Sequence, residues 1–140
     1  VKIVQLTKEL AEAKIAELLE IEKTITDQRW TADNFLMDLA SKWEYSLAAL
    51  DEDRVIAFSV CSLKGANLHI HRTVALPEYR GKGLGEDMMD IVTAKCSAGG
   101  IRSITLKVHE SNMGAQRFHE RLGFRRVATE GSRYIYRKGL

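Results

Sequence analysis

The chain has 140 residues, 45% hydrophobic and 29% charged, with 21 Lys and Arg against 19 Asp and Glu for a net charge of +2. That length fits one domain over 1–140 with a sizeable core, and a charge so near balance gives no argument for nucleic acid as a partner. No apolar run approaches the ~20 residues of a membrane helix, and Val1–Leu6 is too short and too alternating for the apolar part of a signal peptide, so no membrane partner and a cytoplasmic location are expected.

Lys2–Leu6 reads as a short strand. Thr7 fits as the N-cap of a helix over Lys8–Ile25, in which Ala11, Ile15, Leu18, Leu19 and Ile25 recur at helical spacing. Thr31 caps a second helix through Phe35, Leu36 and Leu39, and Trp30 is placed to staple onto it. Tyr45–Leu50 and Arg54–Ser62 are strand-like around polar Asp51–Asp53, and Lys64–Asn67 turns into a strand over Leu68–Ala75 that Pro77 ends. Cys61 and Cys96 have no CxxC or metal-type spacing and read as free, buried thiols, so no metal is expected.

Beyond Pro77 the chain reads Glu78-Tyr79-Arg80-Gly81-Lys82-Gly83-Leu84-Gly85. Glycines reach backbone angles closed to other residues and put no Cβ in the way of a ligand. A helix follows over Glu86–Cys96, and its first amides lack intrahelical partners and favour an anion. The turn has the chemistry of a phosphate cradle. Gly99-Gly100 stops that helix, and Ile101–Val108 then alternates as a strand, paired in parallel with Leu68–Ala75 through a right-handed crossover. Ser111 and Asn112 start a helix over Met113–Leu122 that Gly123 closes, and strands Phe124–Thr129 and Arg133–Arg137 finish a mixed α/β order.

Two of these segments carry a resemblance. Arg80-x-x-Gly83-x-Gly85 after a strand ending at Ala75-Leu76-Pro77 resembles the pyrophosphate-binding turn of the GNAT superfamily of acetyl-CoA-dependent N-acetyltransferases. Asn112-x-x-Ala115-x-x-Phe118-His119-x-x-x-Gly123-Phe124 is similar to that family's next conserved-pattern helix, and the element order is similar as well. Trp30–Phe35 and Leu106–Asn112 are similar, more loosely, to segments of ribosomal-protein N-terminal alanine acetyltransferases. The resemblance implies a GNAT fold with about seven strands, helices on both faces, and a splay between the fourth and fifth strands. It implies acetyl-CoA as cosubstrate and an amine acceptor, either a small molecule or a peptide N-terminus, in a monomer or homodimer. By the same resemblance the backbone of Arg80, Gly81, Lys82, Gly83, Leu84 and Gly85 holds the CoA pyrophosphate. Val74 and Ala75 pair with the pantetheine amides, Asn112 bonds that arm and Phe118 lines it.

Direct transfer to an amine needs a neutral amine, a stabilised oxyanion and a protonated leaving thiolate. The family's usual proton donor is a tyrosine, and this chain has His119 there; the alanine group's glutamate base is replaced by Lys107. His119 is either the acid or a hydrogen-bonded core histidine. His71, on one strand face with His69 and Thr73 by alternation, is a candidate base or a half-exposed strand residue. Glu110 is the nearby carboxylate that can replace the base, or an exposed strand end. Asn112 doubles as an N-cap. Arg117, Arg121, Arg125 and Arg126 form either a solvated face or a contact for the CoA 3′-phosphate or an acidic partner. The rival to an enzyme is a non-catalytic acyl-CoA-binding module.

Overall fold

The computed structural model describes residues 1–25 and 28–140. Seven strands make one sheet: β1 (Lys2–Gln5), β2 (Leu47–Asp51), β3 (Arg54–Lys64), β4 (Asn67–Ala75), β5 (Ser103–His109), β6 (Arg125–Glu130) and β7 (Arg133–Gly139). Their spatial order is β1-β2-β3-β4-β5-β7-β6. Neighbours are antiparallel except β4 and β5, the pair joined through helix α5 (Leu84–Ala98), as a crossover requires.

Ahead of β2 lie α1 (Lys8–Ala13), α2 (Ile15–Glu22), α3 (Ala32–Leu36) and α4 (Lys42–Tyr45), and α6 (Met113–Arg121) joins β5 to β6. The helix expected over Lys8–Ile25 is broken at Lys14, which has φ −111° and ψ 19°. Tertiary contacts compete with the helix there: Lys14 Nζ donates to the Asp53 carbonyl at 2.6 Å, and Glu17 Oε1 accepts the Val55 N–H at 2.8 Å. Both anchor the bent helix to the β2–β3 hairpin. The second helix starts as expected, with Thr31 and Asn34 in a reciprocal capping box and Trp30 stapled edge-on to Phe35 at 5.2 Å. It ends at Leu36, short of Leu39, and α4 runs up to Tyr45, so the strand read from Tyr45 starts at Leu47.

Helices α1–α3 cover one face of the sheet, where Phe35 meets Phe58 with ring centres 5.2 Å apart. On the other face lie α5 and α6, with Leu68, Ile70, Ile104, Leu106 and Tyr136 buried; Tyr136 reaches Glu120 of α6. Among the described residues, no helix is long and apolar enough to cross a membrane.

The splay is present and has a local cause. β4 pairs with β5 only from Asn67 to Ile70, although the strands run on to Ala75 and His109. At that point the β3–β4 register steps from Val60↔Arg72 to Cys61↔Ile70, leaving His71 as an extra residue. A bulge bends and twists its strand, and β4 leaves β5 where the bulge sits. The bulge also overturns the simple alternation. Arg72 and Val74 join His69 and His71 on the α2–α3 face, while Thr73 turns to the opposite face and meets Ser59 at 3.0 Å.

Candidate active site

The gap opened by the splay exposes one edge of β4. Leu76 donates its N–H to the Ile56 carbonyl at 2.9 Å, so Leu76 faces β3, and by ladder alternation so does Val74. The amides and carbonyls of Thr73 and Ala75 therefore look into the gap. The edge expected from Val74 and Ala75 belongs to Thr73 and Ala75, because the two sides of a strand alternate and Val74's are taken by β3. The Ala75 carbonyl accepts Arg80 Nε at 2.8 Å, and the same guanidinium reaches Thr24 Oγ1 at 2.9 Å.

Past β4, a short 3-10 turn at Pro77–Tyr79 is pinned to the β2–β3 hairpin by the Tyr79 hydroxyl, which donates to Asp51. Gly81 and Gly83 take φ of 74° and 83°, and a Cβ at either would meet nothing within 4 Å. Left-handed backbone over open space is what a loop wrapping a ligand requires. Gly83 caps α5 without a side chain, so the Leu84, Gly85 and Glu86 amides point unshielded at that space, with the helix dipole behind them. These residues suit a pyrophosphate.

The α6 segment converges on the same place. A Cβ on Gly85 would lie 3.6 Å from the Phe118 ring, so α5 and α6 are packed closely beside the turn. Asn112 caps α6, its Oδ1 accepting the Ala115 N–H at 3.1 Å, which leaves its Nδ2 hydrogens to donate elsewhere. His119 is wedged between Phe118 and Phe124, at 5.1 and 5.5 Å. Its Nδ1 is buried without a partner. An N–H buried with no acceptor is the costlier orphan, so the ring proton belongs on Nε2, the nitrogen solvent reaches. Burial pushes the His119 pKa down to about 4, so at neutral pH it is an uncharged hydrogen-bond donor and not a reservoir of imidazolium protons.

Across the gap lie side chains from many elements. His71 Nε2 meets Ser62 Oγ at 2.6 Å, His69 Nδ1 meets Thr105 Oγ1 at 2.9 Å, and the two rings stand edge to face at 4.9 Å. Trp30 closes over His71 at 6.0 Å. Burial first, then the charges of Lys64 and others, holds His71 down to about 4; burial and then His71 do the same to His69. Lys107 stands on the same face of β5 and pairs with Glu130 at 2.9 Å. Glu110 is exposed past the end of β5; its backbone is held by Ser132 and Gln116, and its carboxylate contacts neither histidine.

Two buried charges fix this wall. Glu22, 2% exposed, accepts the Trp30 N–H at 2.8 Å and lies 3.3 Å from Arg72 Nε, an ion pair rather than an aligned hydrogen bond. Lys42 is fully buried and donates to the carbonyls of Asn34, Phe35 and Met37 at 3.2, 2.6 and 2.6 Å, closing the end of α3. Neither had a signal in the sequence, because each depends on partners brought together by the fold. The same is true of Ser62 and Thr105.

An acyl-transfer site is what this architecture defines: a parallel pair splayed by a bulge, a glycine turn on a helix N-terminus, and a second cleft wall of uncharged imidazoles. A family model described as "Acetyltransferase (GNAT) family" matches residues 12–124, and the chain belongs to that family, acetyltransferases whose donor is acetyl-CoA. The [ribosomal protein bS18]-alanine N-acetyltransferase of Haemophilus ducreyi is 22% identical over 125 residues, 89% of this chain and 86% of that one. N-alpha-acetyltransferase 30 of Schizosaccharomyces pombe is 33% identical over 106 residues, covering 66% of this chain and 71% of its own length. The crystal structure of PaiA N-acetyltransferase from Thermoplasma acidophilum in complex with coenzyme A shares the fold at a TM-score of 0.82 and 19% identity, covering 99% and 98% of the two chains.

Proposed function

We propose that this acetyltransferase acts on the α-amine of a polypeptide N-terminus, with donor and acceptor bound together and the amine attacking directly. The observation that carries the reading is the character of the acceptor wall. It offers two imidazoles held near 4 and the cation Lys107, whose neighbouring carboxylate, Glu130, is already paired with it. Such a wall takes up a proton poorly, and its positive charge disfavours an ammonium. The acceptor must therefore arrive neutral. An α-amine of pKa ~7.7–8.0 is neutral in roughly one molecule in seven at pH 7, whereas a lysine-type amine near ~10.4 is neutral in about one in 2,500. One relative is named as an alanine N-acetyltransferase of ribosomal protein bS18 and another as an N-alpha-acetyltransferase, which supports the same choice.

Acetyl-CoA supplies the thioester; the amine forms the N–C bond as the C–S bond breaks, and the proton the nitrogen loses passes to the leaving thiolate, directly or through solvent, to give free coenzyme A thiol. In this reading the Thr73 and Ala75 backbone pairs with the amides of its arm, after Arg80 gives up the Ala75 carbonyl. The amides of Leu84 to Glu86, aided by Arg80, Gly81, Lys82 and Gly83, hold the pyrophosphate. Asn112 Nδ2 and Phe118 line the arm, and His119 Nε2–H donates a hydrogen bond to the sulfur. His71, fixed by Ser62 and Trp30, accepts a hydrogen bond from the attacking amine and orients its lone pair. Glu110 has no part in this reading.

Release of free thiol from acetyl-CoA, measured with N-terminal peptides, lysine side chains and polyamines as acceptors, tests it. The expected result is turnover on free N-termini that exceeds the other two by ~100-fold or more, following the neutral fractions. Preferred turnover on a polyamine or a lysine side chain would overturn it.

A further inference from the structure

The α2–α3 face of the sheet is covered by helices only as far as β4. Beyond the gap, the same face of β5, β7 and β6 is open, and the pairing fixes what it shows. Thr105 stands opposite Arg137, Lys107 opposite Ile135 and His109 opposite Arg133. Across the last pair, Arg125 stands opposite Arg137 and Glu130 opposite Arg133. Lys107, Arg137 and every residue of β6 are exposed. With Lys64 at the end of β3, this face carries five cations and one carboxylate among the described residues, while the whole chain balances 21 cations against 19 anions. The rest of the molecule is therefore net negative.

The Arg125–Arg137 pair points to a ligand. Like charges directly opposite across an antiparallel pair destabilise it, yet among the described residues neither guanidinium has an ion-pair partner. An anion laid over β7 and β6 would relieve that repulsion. The face begins at the gap where the acceptor amine must sit, so the acceptor's own chain is placed to supply it.

We infer that this open sheet face binds the acceptor, and that the acceptor is an acidic N-terminus, with Asp or Glu among the residues that follow the amine. The inference rests on the N-terminal reading above. Strands lie ~4.8 Å apart and an extended peptide advances ~3.3 Å per residue, so a chain leaving the gap passes Lys107 and Arg133 by about its second or third residue. It reaches Arg125 and Arg137 by about its fourth. Polyamines and basic N-termini are disfavoured by the same charges.

The test uses the whole chain and acetyl-CoA with peptides that share a first residue and carry acidic, neutral amide or basic residues at the next three positions. The acidic peptide is expected to exceed the neutral one by ~10-fold in kcat/KM at low salt, with the ratio shrinking as salt screens the face. In the Arg125→Ser, Arg137→Ser double variant, on exposed positions of the edge strand β6 and its neighbour β7 away from the gap, the ratio falls to about 2. Equal rates on acidic and neutral peptides, a preference for the basic peptide, or a ratio untouched by salt and by the double variant would overturn the charge preference alone. Turnover of polyamines with no peptide accepted would overturn the N-terminal reading and this inference with it.

Discussion

In the proposed reading the cleft has a donor wall and an acceptor wall, and they are built from different material. The donor wall is backbone: amides at the helix start, the Thr73 and Ala75 edge, and two glycines in left-handed turns. The acceptor wall is side chains from α2, α3, β3, β4, β5 and β6, positioned by a buried ion pair, a buried lysine and hydroxyl–imidazole contacts. A backbone site is written in a short stretch of chain and survives changes in other residues. A side-chain site exists only once distant elements have packed. The difference is what lets one fold keep a single donor and vary the acceptor.

This contrast predicts separable damage. The largest effect belongs to the buried pair: Glu22→Ala removes the buried carboxylate that faces Arg72 at 3.3 Å and anchors Trp30, and should cost about 3 kcal/mol in denaturant unfolding. Coenzyme A affinity of the folded fraction should stay unchanged. A loss under ~1 kcal/mol would show that the pair does not hold the wall.

On the donor side, Gly83→Val forces a β-branched residue into a left-handed turn and a side chain into the cradle. Titration calorimetry should show coenzyme A binding weakened by ~30-fold or more, about 2 kcal/mol. If Gly83→Val weakened the acceptor KM and left coenzyme A binding intact, the two walls would be assigned the wrong way round. His71→Ala should do the reverse, lowering kcat by ~10-fold with coenzyme A affinity kept.

The smallest effect, taken residue by residue, is on stability against pH. His69, His71 and His119 are held near 4 in the fold, below the ~6.5 of the unfolded chain. Between those values the unfolded state binds more protons, so stability is full above about 6.5 and falls as pH drops towards 4. Each histidine contributes on the order of 1 kcal/mol after solvent screening is allowed for. Thermal melts from pH 7 to 4 should show the decline, and it should flatten in a His119→Phe variant.

The same contrast explains what the sequence discloses. The glycine turn, the Thr31 cap with its Trp30 staple, the crossover and the Asn112 cap are local patterns, and each is legible by spacing alone. Illegible were the break at Lys14, imposed by Asp53 and Val55, and the bulge at His71. That one inserted residue decides which of His71, Arg72 and Thr73 faces the acceptor and where the sheet splays. Residue types could nominate His71 and His119, but burial among aromatic rings, invisible in the chain's order, makes both uncharged.

The central claim is that, among the described residues, the acceptor wall supplies no strong base, so the amine itself sets the pH dependence. The most direct measurement is kcat/KM against pH for a peptide with a free N-terminus. The rate should climb through neutrality and level off near the α-amine pKa of ~8. A plateau already reached by pH ~6, set by a titrating group of the enzyme instead of the substrate, would contradict it.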